Sequence, residues 1–227
     1  MANIVALVGQ KGGTGKTTTT VSLATEWHRR GRKVLLVDTD PQESSLSWGQ
    51  VAAEAGKNPP TIVKMRAGLH KEGQLPTMAK SYDWVLVDCP AREPEIQRSV
   101  LMIADLAIIP FAPSAIDAWA LESSLSLVKA AQEIRPDLLW RVLLSLADQT
   151  KTCKVAKEAL LESKVETFRS EIGRRVTFRD AFAAGLGPTT FAAKTPAAKE
   201  VQALTKEIEK LFVAARKEQS KEVESHV

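Results

Sequence analysis

The chain has 227 residues and a net charge of +4, with 44% hydrophobic and 26% charged residues. This composition is typical of a globular protein, and the sequence has no low-complexity segment or internal repeat. Its two cysteines are too few for a disulfide framework, which favours a reducing, cytoplasmic location. No apolar run approaches the roughly 20 residues that a membrane span needs, so we expect no membrane association.

Short apolar runs alternate with helix-length segments along the chain. Uninterrupted apolar runs are typical of strands buried on both faces of a parallel sheet. We predict such strands at Ile4–Val8, Lys33–Val37, Trp84–Val87, Leu106–Pro110 and Val142–Leu146, with weaker candidates at Thr61–Met65 and Lys164–Phe168. Helices are predicted over residues 16–30 and 115–134, and from Pro196 to about Lys217. This order predicts an α/β fold with a mostly parallel, twisted sheet and helices on both faces.

No Pro-, Gly- or Ser-rich linker divides the chain, so residues 1–215 are predicted to form a single domain. Residues 216–227 are highly charged, and we expect them to be a disordered tail. This tail has little apolar surface, which argues against an amphipathic helix that binds a membrane.

The segment from Lys11 to Thr18 has the composition of a phosphate-binding loop. It follows a predicted strand and opens a predicted helix, as such a loop requires. The glycines allow backbone amides to converge on phosphate oxygens, and the start of the helix adds unpaired N–H groups. The residues predicted to bind the nucleotide are Lys11, Gly12, Gly13, Thr14, Gly15, Lys16, Thr17 and Thr18. Lys16 is expected to reach the β- and γ-phosphates, and Thr17 to place its hydroxyl on Mg²⁺.

Acidic residues follow two of the predicted strands. Asp38 and Asp40 come at the end of the second strand, and Asp88 ends the Trp84–Val87 strand. Ligands of open α/β sheets bind at the carboxyl ends of the strands. Carboxylates at this edge, beside a phosphate loop, predict a magnesium site that includes Thr17, Asp38 and Asp88, the two Asp residues acting through water.

The strict pattern G-x4-G-K-[ST] fails at Gln10, and a second lysine, Lys11, stands at the entrance of the loop. The sequence from Lys11 to Thr17 resembles the deviant phosphate loop of the ParA/MinD family of P-loop ATPases, and the similarity is greatest to small plasmid-type ParA proteins. Asp38-Thr-Asp40-Pro-Gln resembles the switch I segment of that family. Asp88 matches its Walker B acid, and the resemblance extends over residues 2–212.

This resemblance implies a function and a set of roles. It implies an ATPase that binds ATP and Mg²⁺ and forms a homodimer with ATP, in which Lys11 contacts the nucleotide of the partner. Lys11, Lys16 and Asp40 are then the catalytic residues, and Asp40 positions the attacking water. It also implies non-specific DNA binding, a nucleoid-associated location in the cytoplasm and a ParB-like or cargo-adaptor partner that stimulates hydrolysis. The family's base-reading pair is absent at residues 145–148, so backbone groups are expected to recognise adenine.

Basic residues are concentrated late in the chain. Residues 151–199 contain ten Lys and Arg against five Asp and Glu, whereas residues 1–150 are balanced. Such an excess is typical of a surface that binds a polyanion, and phosphate contacts of this kind weaken with salt. The candidate DNA contacts are Arg169, Arg174, Arg175, Arg179, Lys194 and Lys199.

Several functions remain open at this point. The first is a ParA-type ATPase that drives plasmid or chromosome partition. The second keeps the ATPase but moves a protein cluster, such as chemoreceptors, over the nucleoid. The third is a metabolic P-loop enzyme, which would need no DNA-binding surface.

Overall fold

The structure is a computed structural model that describes residues 2–66, 68–113 and 117–225. The strands are β1 (Asn3–Leu7), β2 (Val34–Asp38), β3 (Thr61–Lys64), β4 (Trp84–Asp88), β5 (Leu106–Phe111), β6 (Leu139–Ala147) and β7 (Ile172–Gly173). The helices are α1 (Lys16–Arg29), α2 (Ser44–Glu54), α3 (Leu75–Ala79), α4 (Pro94–Leu101), α5 (Asp117–Ile134), α6 (Lys151–Glu162), α7 (Val176–Ala183), α8 (Pro188–Phe191) and α9 (Pro196–Ser225). Within these ranges, no helix is both long and apolar enough to cross a membrane.

The strands of the described residues form one parallel sheet in the order β3-β2-β4-β1-β5-β6-β7. The prediction of a mostly parallel sheet is therefore confirmed. The five strongly predicted strands and the weaker Thr61–Met65 strand are all present, with small changes at their ends. The start of the predicted helix at Ala115 lies outside the described residues.

The sheet has a core on each face because its central strands are apolar along most of their length. Val5 and Leu7 of β1 pack in one cluster with residues of α1, α2, α7 and α9. Ala6 and Val8 belong to the opposite cluster, with residues of α3, α4, α5 and α6. Successive side chains of a strand point to opposite faces, so an unbroken apolar run supplies both clusters at once.

The predicted strand at Lys164–Phe168 is wrong. Lys164 has a left-handed backbone (φ 53°) after α6, and the segment pairs with the sheet only through one bridge, between Thr167 and Val142. The last strand is instead β7, which pairs with the end of β6 across an irregularity in the register. A single residue in register cannot continue a ladder of hydrogen bonds, so this segment remains a loop.

Helix α9 continues beyond the predicted end at about Lys217 and reaches Ser225. Residues 216–225 are therefore helical, whereas the sequence analysis expected a disordered tail. The segment is rich in Lys and Glu, which have high helix propensity, and this outweighs its lack of an apolar face.

Candidate nucleotide-binding site

The order of the strands brings three sequence-distant segments to one corner of the sheet. Strand β4 lies between β1 and β2, and Asp88 is in register with Leu7 of β1 and with Asp38 of β2. The phosphate loop leaves the same end of β1 and leads into α1. Because parallel strands end at the same edge, the loop and both carboxylates lie at the carboxyl edge of the sheet, where open α/β folds bind ligands.

The backbone between β1 and α1 has the conformation that a phosphate loop needs. Gly13 and Gly15 have φ angles of 74° and 87°, which are left-handed and favour glycine. Gly15 is the N-cap of α1, and no side-chain hydrogen bond caps this end of the helix within the described part of the chain. The first amides of α1 can therefore donate to an anion at the helix N-terminus.

Lys16 is the buried cation of the loop, with an exposed fraction of only 7%. Its Nζ donates to the carbonyl oxygen of Lys11 at 2.8 Å. Desolvation lowers the pKa of Lys16, and the charge of Asp88 opposes that shift. An ammonium group has three N–H donors, so the contact with Lys11 leaves donors for phosphate oxygens.

Asp88 is buried, and its two carboxylate oxygens have different environments. Oδ2 accepts a hydrogen bond from the Ser45 hydroxyl at 2.8 Å, whereas Oδ1 has no hydrogen-bond partner among the described residues. Burial raises the pKa of Asp88 to about 7, against the opposing effects of the Ser45 and Thr17 hydroxyls and of Lys16. A buried oxygen without a partner is costly, and a cation at this position would remove the cost.

Asp38 and Asp40 have separate roles in the turn after β2. Asp38 Oδ1 accepts from the Asp40 amide at 3.0 Å, and Oδ2 accepts from the Leu46 amide at 2.9 Å. Desolvation raises the pKa of Asp38. Asp40 is half-buried, and its Oδ1 accepts from the Gln42 amide. Asp38 therefore shapes the turn, whereas Asp40 lies at its accessible edge.

The chemistry of these donors fits Mg²⁺. This ion prefers oxygen ligands and is usually held by one or two carboxylates together with phosphate oxygens and water. Thr17 and the unpartnered Oδ1 of Asp88 would hold it, and Asp38, whose oxygens already accept two amides, would contribute through water. Among the described residues, no group of three or more His, Cys, Asp or Glu side chains is placed to hold a metal alone.

The structure adds three polar residues to the site that the sequence analysis missed. Ser45 supports Asp88, and the Ser145 hydroxyl donates to the carbonyl of Thr14 at 2.5 Å. Gln97 of α4 is fully buried and joins the loop to the segment after β4. Its side-chain oxygen accepts from the Gly9 amide at 3.2 Å, and its Nε2 donates to the carbonyl of Pro90 at 2.7 Å.

A cavity of about 510 Å³ opens beside the phosphate loop. One wall consists of Gly15 and residues 17–19, and the other belongs to β7 and α7. Apolar side chains contribute to the second wall, among them Phe178 and Phe182. The position and lining of this cavity suit the nucleoside that follows a bound phosphate chain.

The structure separates the six candidate DNA contacts into two groups. Arg174, Arg175 and Arg179 line the cavity beside the phosphate loop, and Arg175 is also paired with Glu200 of α9. The other three side chains are exposed away from this cavity, namely Arg169, Lys194 and Lys199. Three of the six candidates thus line the cavity beside the phosphate loop, and three do not.

Together, the loop, the buried lysine and the carboxylate define a nucleotide-binding protein of the P-loop class. Residues 5–189 match the model of the CobQ/CobB/MinD/ParA nucleotide binding domain, so the chain belongs to this family. The resemblance to ParA and MinD proteins is thereby confirmed. The strict loop pattern fails at Gln10, yet the fold around it is that of the family.

Two relatives show the range of proteins that this chain resembles. It is 27% identical to the maintenance of carboxysome distribution protein A of Halothiobacillus neapolitanus, over 90% of this chain and 95% of the relative. It is 28% identical to the chromosome-partitioning ATPase Soj of Thermus thermophilus, over 90% and 94% of the two chains.

Solved structures with the same fold include complexes with nucleotides. An ATP complex of McdA from Cyanothece has a TM-score of 0.74 at 16% identity and covers 92% of this chain and 96% of its own. The septum site-determining protein MinD of Pyrococcus horikoshii with Mg-ADP has a TM-score of 0.70 at 21% identity, covering 95% and 99%. At these identities the likeness shows the shared fold.

Proposed function

We propose that this protein binds ATP with Mg²⁺ and hydrolyses it to ADP and phosphate as a ParA-type ATPase. The observation that carries the proposal is the buried Asp88 carboxylate, whose Oδ1 lacks a partner among the described residues, beside Thr17 and Lys16. A buried carboxylate oxygen without a partner destabilises the nucleotide-free protein, and a metal ion bound together with a phosphate chain would remove that cost. The ATP- and Mg-bound proteins of the same fold support the choice of ligand.

The residues of the site would act by charge stabilisation and positioning. Phosphoryl transfer requires little covalent chemistry from the protein, so catalysis depends on neutralising the phosphate oxygens and orienting a water molecule. In this proposal the loop amides and Lys16 contact the β- and γ-phosphates, and a bound Mg²⁺ supplies further positive charge. Asp40, at the accessible edge of its turn, orients the attacking water.

ATP would also join two copies of the chain. Lys11 lies at the entrance of the loop and is half-buried, and its carbonyl oxygen accepts a hydrogen bond from Lys16 Nζ. We propose that its side chain reaches the nucleotide of the partner subunit, as the ParA resemblance implies. Formation of the dimer would then require ATP, and hydrolysis would separate the subunits.

The ATP dimer is proposed to bind DNA without sequence preference and to release it after hydrolysis stimulated by a ParB-like or adaptor protein. The exposed cations Arg169, Lys194 and Lys199 support this part of the proposal, since a two-fold dimer doubles every basic patch. The protein would accordingly act on the nucleoid in the cytoplasm.

The cargo is either a DNA molecule or a protein assembly. The relative Soj favours DNA partition, and a ParA protein of Rhizobium radiobacter is 28% identical over 80% of this chain. The carboxysome distribution relative favours the movement of a protein assembly instead. Either cargo would be moved by the same proposed cycle of ATP binding and hydrolysis.

The proposal can be tested by measuring ATP binding, ATP hydrolysis, DNA binding and molar mass in the same samples. The purified protein is mixed with random-sequence duplex DNA, with Mg²⁺ and either ATP, ADP or no nucleotide, at several salt concentrations. We expect dimers and DNA binding only with ATP, and binding that falls by about tenfold or more between 50 and 200 mM salt.

The outcomes distinguish the parts of the proposal. ATP hydrolysis without nucleotide-dependent DNA binding would reject the partition and cargo-moving functions and favour a metabolic P-loop enzyme. Absence of any affinity for ATP with Mg²⁺ would reject the ATPase itself.

A further inference from the structure

Helix α9 reaches the wall of the cavity beside the phosphate loop through one carboxylate. Glu200 Oε2 accepts from the Gly173 amide at 3.0 Å, and Oε1 accepts from Arg175 Nε at 2.7 Å. The second guanidinium contact, from Arg175 Nη2, is 2.6 Å long. One side chain therefore holds the end of β7 and the residue that precedes α7.

Gly173 and Arg175 both line the cavity, whereas Glu200 does not. Glu200 therefore holds part of the cavity wall without itself lining the cavity. The guanidinium lies directly against Gly173, since a Cβ atom at that residue would be 3.1 Å from Arg175 Nε. Arg175 is also the N-cap of α7, and α7 carries the apolar residues Phe178 and Phe182 into the cavity. The contact between Glu200 and the turn from β7 to α7 therefore helps to position this wall, together with the packing of Ile172 and Phe178 in the core.

The phosphate loop is supported by other residues. Gln97 anchors its start, Ser145 holds the Thr14 carbonyl, and Lys16 binds within the loop. The two halves of the site therefore differ in part of their support: Gln97 of α4 contacts the segment that leads into the phosphate loop, whereas Glu200 of α9 contacts the turn from β7 to α7.

We propose that Glu200 is a positioning residue for the nucleoside part of the ligand. It holds Arg175 and the start of α7 so that the cavity keeps a shape complementary to a base and ribose. The inference rests on the proposed function, because it assumes that the ligand is a nucleotide whose phosphates occupy the loop.

The test compares a nucleotide with a ligand that has only phosphates. Dissociation constants of ATP and inorganic tripolyphosphate are measured with Mg²⁺ by calorimetry for the full chain and for Glu200→Ala. We expect the affinity for ATP to fall about tenfold, because the turn from β7 to α7 loses its contacts with Glu200, and the affinity for tripolyphosphate to stay within about twofold. Glu200→Gln keeps an oxygen that can accept from the Gly173 amide, so it should recover part of the affinity for ATP.

The same helix offers a matched control in Glu207. Its carboxylate accepts from the amides of Arg169 and Ser170, both at 2.8 Å, and lines a different cleft. Glu207→Ala should therefore destabilise the fold to a similar degree without an effect specific to ATP.

Three results would overturn the inference. The first is an equal loss of affinity for ATP and for tripolyphosphate in Glu200→Ala. The second is a loss of affinity for ATP alone in Glu207→Ala. The third is an unchanged affinity for ATP in both Glu200 variants. If the unmodified protein bound tripolyphosphate but not ATP, or neither ligand, the proposed function itself would be rejected.

Discussion

The two ends of the candidate site are built in opposite ways. The phosphate end comes largely from one contiguous segment, residues 11–18, supported by carboxylates at the ends of adjacent strands. The cavity end combines the start of α1 with the end of β6, with β7 and α7, and with Glu200 of α9 behind them. Its parts are far apart in the chain and meet only through the fold.

This difference shows how much of a site depends on local chemistry. The phosphate chain carries concentrated negative charge, and a short loop with backbone amides and one lysine can satisfy it wherever a strand leads into a helix. A base and ribose carry no charge and present a broad surface, including the flat face of the base, so they need walls from several elements. Variants at the phosphate end should therefore affect every phosphate ligand, whereas variants at the cavity end should distinguish between ligands.

Lys16→Met should have the largest effect. It removes the buried cation that faces the phosphates but keeps a side chain of similar length. We expect kcat/KM for ATP hydrolysis to fall at least about a hundredfold, as is typical when one charge-stabilising donor is removed. Affinities for ATP and tripolyphosphate, measured by calorimetry, should fall together. A loss confined to ATP would contradict the division of the site into two ends.

Asp88→Asn should change stability and its dependence on pH. Because burial raises the pKa of Asp88 to about 7, the native state keeps a proton between about pH 4 and pH 7 that the unfolded chain releases. The contribution of this group to the free energy of unfolding is therefore greatest at low pH and decreases as pH rises through this range. The side-chain amide of the variant cannot ionise, so the nucleotide-free variant should be more stable at pH 8 by roughly 1–4 kcal/mol.

Denaturant unfolding at several pH values, without nucleotide or Mg²⁺, measures this effect. The variant should also lose hydrolysis, because it removes the carboxylate proposed to hold the metal. Identical dependence of stability on pH in both proteins would show that Asp88 is not the buried, protonated group described above.

The strands and the family of the phosphate loop could be predicted from the sequence because their signals are local. Unbroken apolar runs identified the strands, and the order of strand, glycines, lysine and helix identified the loop. Asp38 and Asp88 were predicted to share one edge because parallel strands end together, and their registration across β2 and β4 confirms it. The strand at Lys164–Phe168 was wrong because pattern alone does not show that only one residue pairs with the sheet.

The supports of the site were harder to predict, although some left a signal. Gln97 occupies a helix position whose neighbours one turn later, Val100 and Leu101, are buried, so it is a polar residue on an apolar face. Ser145 similarly interrupts the apolar run of β6. Glu200 left no such signal, because an acidic residue near the start of a long charged helix is ordinary, and its partners are defined only by the fold.

Gln97→Met should have the smallest effect of the three changes and is the sharpest test of the support for the loop. Met has a similar volume but cannot bond the Gly9 amide or the Pro90 carbonyl, which would remain buried without these partners. We expect the affinities for ATP and tripolyphosphate to fall equally, by about fivefold to tenfold, since a lost buried hydrogen bond is worth roughly 1 kcal/mol. The expected pattern is thus opposite to that of Glu200→Ala.

Gln132→Met is the matched control. Gln132 Nε2 donates to the Leu138 carbonyl at 2.8 Å, and its oxygen accepts from Trp140 Nε1 at 2.9 Å, near the far end of α5. Both variants therefore lose a donated and an accepted hydrogen bond, and Gln97→Met also loses a longer one to the Gly9 carbonyl at 3.4 Å. Of the two glutamines, Gln97 is the one that contacts the segment leading into the loop. Equal loss of ligand affinity in the two variants would mean that general destabilisation, and not the position of the loop, weakens binding.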